Sequence, residues 1–186
     1  MGLFSPIMRL NIILKYGSNQ NEIQRIILSS LKLKVMKITI EDLKNVSFFD
    51  DYTDDQLKIF IDVSSIKEFK VKDVLFEQYD ELKEIYVLLS GCLSLGISIA
   101  NEKRIRLGTL EDGHLFSWSA VFSPYISTAW VMATCPTKVL AIDAQKLNDE
   151  FEKNCAFGFK TMSKIARTIS QRLSDTRFQL MNQLTL

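Results

Sequence analysis

Leu115-Phe116-Ser117-Trp118-Ser119-Ala120-Val121-Phe122-Ser123-Pro124-Tyr125-Ile126-Ser127-Thr128-Ala129-Trp130 is the stretch on which the fold turns. It begins and ends in strand-like residues. Between them the pattern is a short helical turn, a proline bend at Ser123-Pro124 and a return into extended chain. A helical turn inserted between strands is an uncommon interruption, so the segments on either side decide what contains it.

Those segments read as β-structure from Ile66 to Ile142. Leu93, Leu95, Ile97 and Ile99 alternate with Ser94, Gly96 and Ser98 at a period of two. Ile105 and Leu107 alternate with Arg104 and Arg106 beyond the short turn Ala100-Asn101-Glu102. Glu84–Leu89 is a buried-strand run that ends at Ser90-Gly91, and Asp112-Gly113 marks another turn. Pro136 interrupts the last pair of strands. Many short strands at close spacing indicate a sandwich, barrel or jelly roll.

Helical patterns flank this region. Thr39 or Glu41 opens a first short helix. Thr53-Asp54-Asp55-Gln56 has the form of a capping box, with Leu57, Phe60, Ile61 and Ser64 along one face of the helix that follows. Asp143 is placed to cap a helix over Ala144–Glu150. A long helix is expected from Phe157 to about Leu184, with Met162, Ile165, Ile169, Leu173, Thr176, Leu180 and Leu184 at three-or-four spacing. It would be roughly 42 Å long, more than one small β-domain covers, so part of its stripe is expected to face a second subunit.

The expected fold class is therefore α+β, mainly β: a β-roll (double-stranded β-helix jelly roll) over about 66–142, preceded by short helices and followed by helices over about 144–184. Residues 36–186 form the domain. Residues 1–35 form an N-terminal extension, helical or poorly ordered, in which Ile23, Ile26, Ile27 and Leu31 fall at helical spacing. Residues 1–40 carry six basic side chains and one acid, +5, leaving −4 for the rest (17 basic, 21 acidic). That asymmetry suits a separate unit: a docking helix, a weak contact with acidic surfaces, or extra reading frame ahead of a natural start at Met36.

Composition removes several function classes. A net charge of +1 does not suit a chain that grips nucleic acid by charge. No apolar run reaches the ~18 residues of a membrane span, and the group Leu10–Leu14 lacks the form of a signal peptide. A cytoplasmic location is expected. Cys92, Cys135 and Cys155 are odd in number and far apart in sequence, which disfavours a disulfide framework, a zinc site or an iron–sulfur cluster. They are expected to be small buried hydrophobes. With one histidine, His114, read as a turn residue, the chain lacks the ligand set of a metal-dependent jelly-roll enzyme. No nucleophile elbow, phosphate loop or dinucleotide motif is present. The expectation is a non-enzymatic protein with no catalytic residue, no metal and no cofactor.

The order of elements, and three local phrases, resemble the cyclic-nucleotide-binding domain of the catabolite-activator (Crp/Fnr-like) type. The phrases are Val46-Ser47-Phe48-Phe49, Tyr86-Val87-Leu88-Leu89-Ser90-Gly91-Cys92-Leu93 and Gln171-Arg172-Leu173-Ser174-Asp175-Thr176-Arg177. The resemblance covers roughly Ile38 to Leu184. It implies that 115–130 is the family's phosphate-binding cassette, in which a Gly-Glu pair opens the turn and an Arg closes it. Backbone N–H groups cradle the phosphate, the Arg forks onto it, and the Glu accepts from the ribose. Here Ser117 stands for the Gly, Trp118 for the Glu and Ser127 for the Arg, while Thr128 matches the hydroxyl that follows.

The resemblance thus implies a ligand site of Phe116, Ser117, Trp118, Ser119, Ala120, Ser127 and Thr128, with Thr176 and Arg177 reaching the base from the last helix. Losing the buried phosphate contact removes on the order of 2–5 kcal/mol of affinity, so a degenerate or altered pocket is expected in place of tight cyclic AMP or cyclic GMP binding. Three readings of the pocket stay open: Trp118 fills it, Trp118 stacks on a flat small-molecule or nucleotide ligand, or a phosphate binds through the cassette backbone alone. The expected partner is a second copy through Phe157–Leu184, with a protein partner in a larger complex as the alternative. The family's transcription factors carry a helix-turn-helix after the long helix; the chain stops at Leu186, so no direct DNA binding is expected of it.

Overall fold

The computed structural model describes residues 38–99 and 103–184. The expectations for residues 1–35, for Met36 as a start and for the turn Ala100-Asn101-Glu102 lie outside them. Among the described residues eight strands form two four-stranded antiparallel sheets. They are β1 (Ser64–Phe69), β2 (Val74–Phe76), β3 (Glu84–Ser90), β4 (Leu93–Ile99), β5 (Lys103–Leu110), β6 (Leu115–Phe116), β7 (Trp130–Ala133) and β8 (Thr137–Asp143). One sheet runs β1-β8-β3-β6 and the other β2-β7-β4-β5. Among the described residues four helices flank them: α1 (Ile40–Lys44), α2 (Asp54–Asp62), α3 (Ala144–Lys153) and α4 (Cys155–Leu184). This is a mainly-β jelly roll with flanking helices.

The strand pattern explains the layering. Tyr86 on β3 stacks near-parallel on Phe76 of the facing sheet and lies 5.3 Å, centroid to centroid, from Phe116. Tyr86 therefore points into the space between the sheets. Ile85 and Val87 point the other way by strand alternation, yet both are fully buried, because helices cover the outer face. Burial on both faces is why β3 reads as a continuous apolar run.

Side-chain caps set the helix starts. Thr39 forms a capping box with Asp42, and Thr53 forms one with Gln56. The Asp143 carboxylate accepts from the Lys146 N–H at 3.0 Å. Leu57 and Phe60 are buried as the face of α2 requires. Ser64 is not part of that face: Val63 ends the helix and Ser64 opens β1, opposite Ile142. Pro136 separates strands of different sheets, so it sits in a crossing connection and breaks no ladder.

The long helix starts at Cys155, two residues before the expected position, and runs 30 residues, roughly 45 Å. Its first half packs on the domain. Phe157 joins Phe48, Phe49, Tyr52 and Phe60 in an aromatic cluster with centroid spacings of 5.0–6.3 Å. The Tyr52 hydroxyl donates to Thr161 Oγ1 at 3.0 Å, and Ile165 is fully covered. Its second half exposes Leu173, Phe178 and Met181, each more than half accessible. Among the described residues no helix is long and apolar enough to cross a membrane.

Candidate functional site

The stretch 115–130 begins as β6, where Leu115 and Phe116 pair with Val87 and Tyr86. Ser117 then turns the chain with φ +55° and ψ +34°, the left-handed conformation that glycine takes at least cost. Its Oγ donates to the Glu84 carbonyl at 2.7 Å, which fastens the turn to β3. A 3-10 turn follows over Trp118–Val121, with the Ala120 N–H donating to the Ser117 carbonyl at 3.1 Å. The return leg passes the cis Ser123–Pro124 bond. It is pinned by three main-chain bonds, Leu82 N–H to the Tyr125 carbonyl (2.7 Å), Ser127 N–H to the Asp80 carbonyl (2.9 Å) and Tyr79 N–H to the Ser127 carbonyl (2.8 Å). Ser127 Oγ donates to the Ala129 carbonyl at 2.5 Å and accepts from the Ala129 N–H at 3.2 Å.

Between this stretch, the inner faces of β2, β4 and β7 and the long helix lies a cavity of about 50 Å³, partly open to solvent. Its floor is apolar: Phe76, Leu82, Leu95, Leu110 and Val131. Phe116, Ser117, Trp118, Ser119, Ser127 and Thr128 line it, so six of the nine residues expected at the site converge. Trp118 is half-buried, packs against the core and forms part of the cavity wall. Ala120 is buried and lines the adjacent groove with Glu81 and Tyr125.

Thr176 and Arg177 are not in the cavity wall. Thr176 Oγ1 donates to the Arg172 carbonyl at 2.9 Å, and Arg177 is exposed. The last helix contributes Arg172 in their place, one turn earlier. Among the described residues Arg172 is the only charged one in the lining, and it makes no ion pair with any of them. Burial lowers its guanidinium below the ordinary value, and Asp175 on the next turn acts the other way. It remains a cation at neutral pH.

The hydroxyls divide into two sets. Those of Ser117 and Ser127, at the positions of the family's Gly and Arg, are engaged by backbone carbonyls. Those of Ser119 and Thr128 have no partner among the described residues and border the cavity. The site therefore offers one half-buried cation, two uncommitted hydroxyls, an indole wall and a 3-10 turn, with no carboxylate. Such a set can hold an anion with a flat apolar part. It holds no nucleophile–base pair, since His114 lies in a different groove, with Nδ1 accepting from the Glu111 N–H. Among the described residues no cluster of three or more His, Cys, Asp or Glu could hold a metal.

Residues 66–154 match the model of the cyclic nucleotide-binding domain. A Geobacter metallireducens structure named for cyclic nucleotide binding is 29% identical, with a TM-score of 0.65; the match covers 73% of this chain and 98% of that one. A cyclic nucleotide-binding domain from Methylobacillus flagellatus gives a TM-score of 0.67 at 13% identity, covering 77% and 81%. The catabolite activator protein of Thermus thermophilus gives 0.61 at 17% identity, covering 74% of this chain and 62% of its own. No curated protein matches the chain.

Proposed function

We propose that this chain is a domain of the cyclic nucleotide-binding, Crp/Fnr-like type, a non-enzymatic regulatory module whose pocket takes an anionic small molecule in a manner of its own. The observation that carries this is Arg172. It is half-buried, without an ion pair among the described residues, and alone in charge in a cavity without a carboxylate. In the family's arrangement the cassette brings its own Arg and Glu; here charge comes from the helix, and Trp118 occupies the place of the acid. A half-buried cation without an ion pair is a ready partner for an anion.

Calorimetric titration with cyclic AMP and cyclic GMP tests the reading. Both are expected to bind with dissociation constants weaker than about 1 µM. Any measurable binding should weaken at least tenfold in Arg172→Ala and recover in part in Arg172→Lys. Sub-micromolar binding of either nucleotide would show that the pocket works in the family's ordinary way.

Another reading concerns assembly. The exposed Leu173, Phe178 and Met181 form an apolar strip on the distal half of α4. That strip supports a homodimer through the long helix, or docking in a larger complex.

A further inference from the structure

The strands are joined at one end of the roll by two connections that cross between the sheets side by side. The first, Gly91-Cys92, links β3, whose last residue pairs with Lys138, to β4, whose first pairs with Ala133. The other, Thr134-Cys135-Pro136, links β7 to β8. Their backbones are pressed together. The Thr134 N–H donates to the Cys92 carbonyl at 2.8 Å. The Cys92 N–H donates to Thr137 Oγ1 at 3.2 Å, and that hydroxyl donates to the Cys135 carbonyl at 2.9 Å. Gly91, at φ +122°, leaves no room between them: a Cβ there would lie 2.6 Å from the Thr137 Cα.

This crossing places two cysteines 43 positions apart in sequence next to each other. Thr137 Oγ1, between the Cys92 N–H and the Cys135 carbonyl, sets the two cysteines side by side; the Cys135 thiol donates to the Pro136 carbonyl at 3.6 Å, and the nearness of Cys135 raises the Cys92 thiol above its ordinary value. Neither is the buried hydrophobe expected from sequence: Cys92 is exposed and Cys135 partly so. Cys155 is exposed on α4.

We propose that Cys92 and Cys135 form a reversible disulfide, an oxidation site that stitches the two sheets together at this end of the roll. The oxidant is a hydroperoxide. One thiolate attacks its O–O bond, an alcohol or water leaves, and a sulfenic acid remains. The neighbouring thiol then attacks that sulfur, losing its proton as water departs. Two thiols are oxidised by two electrons and the peroxide is reduced. A low-molecular-weight disulfide gives the same bridge by exchange, releasing two thiols. The bond would close a ring of 44 residues, Cys92 to Cys135, containing β4, β5, the 3-10 turn and β7. A link that long constrains the unfolded chain strongly.

The test uses the reduced full chain treated with hydrogen peroxide or oxidised glutathione. Free thiols counted in denaturant should fall from three to one, and a non-reducing digest should yield a peptide joining Cys92 to Cys135. Oxidation should raise the melting temperature by roughly 5 °C or more, and dithiothreitol should reverse it. Cys155→Ser should fall from two thiols to none with its oligomeric state unchanged; Cys92→Ala should keep both. A bridge through Cys155, glutathione adducts without a bridge, or three thiols surviving conditions that fully oxidise free dithiothreitol would each overturn the proposal. None of these outcomes depends on what the cavity binds.

Discussion

Ser117 combines an unfavourable backbone with a favourable bond. The left-handed conformation costs a non-glycine residue on the order of 1–3 kcal/mol, and the hydrogen bond from Oγ to the Glu84 carbonyl returns about 1 kcal/mol. Ser117→Ala keeps the strain and removes the bond, so it should destabilise by about 1–2 kcal/mol in urea unfolding. Ser117→Gly removes both and should fall within about 0.5 kcal/mol of the parent. Equal losses in the two variants would mean that the left-handed conformation carries no net cost at Ser117; no loss in Ser117→Ala would mean that the bond carries no net stability.

That Ser117, Trp118, Ser127 and Thr128 line one cavity is legible in the sequence because they belong to one contiguous stretch. Arg172 is not. Residues 172 and 176 are one turn apart on the same side of a helix, and which of them reaches a cavity depends on how far the helix has slid along the roll. That offset is set by Phe157, Thr161 and Ile165 packing on the aromatic cluster, and no spacing within the helix encodes it. The adjacency of Cys92 and Cys135 is hidden for a related reason. It arises where two connections meet, and connections carry no period.

At the scale of elements, caps are the most readable features. Thr53 with Gln56 and Asp143 with Lys146 N–H behave as their residue types dictate. Asp143→Ala should cost about 1 kcal/mol, read as a lower urea midpoint at unchanged slope. The long helix is legible in extent but not in how it divides. Its first half is held by the domain, with Lys164 donating to the Phe48 carbonyl at 2.6 Å and pairing with Asp50 and Asp51. Its distal half keeps its apolar strip exposed. If that half joins two copies, Leu173→Glu combined with Phe178→Glu should give a monomer by light scattering at concentrations where the parent is dimeric. A parent that stays monomeric at about 100 µM would remove the homodimer reading.

For the whole molecule, alternation carries the strand pattern at β4 and β5, which are long enough to show it, and a continuous apolar run marks β3. The short β2, β6 and β7 lie within segments that periodicity alone cannot divide. Acid response is also a whole-molecule property. The Thr39 backbone N–H, then its hydroxyl, hold the Asp42 carboxyl below its ordinary value of 3.8. At Asp51, burial pushes upward but the Lys164 hydrogen bond and charge prevail, and the carboxyl is again lowered. A group depressed in the folded state contributes stability in full above its unfolded value and loses it as pH falls through the folded one. The melting temperature should therefore hold from pH 7 to about 5 and fall below about 4. Both sites are largely exposed, so each effect is small. In Asp51→Asn the neutral-pH melting temperature should drop slightly and the acid decline should be shallower.

Arg172 and Leu173 are consecutive, so they project about 100° apart around one rod. Arg172 lines the cavity and Leu173 faces solvent. A slide or roll of that rod cannot reposition one without the other. Occupancy and self-association would then be thermodynamically linked: if an occupant tightens association tenfold, association tightens the occupant by the same factor. The domain would transmit a signal through a single stiff lever, with no separate relay of side chains between its two ends.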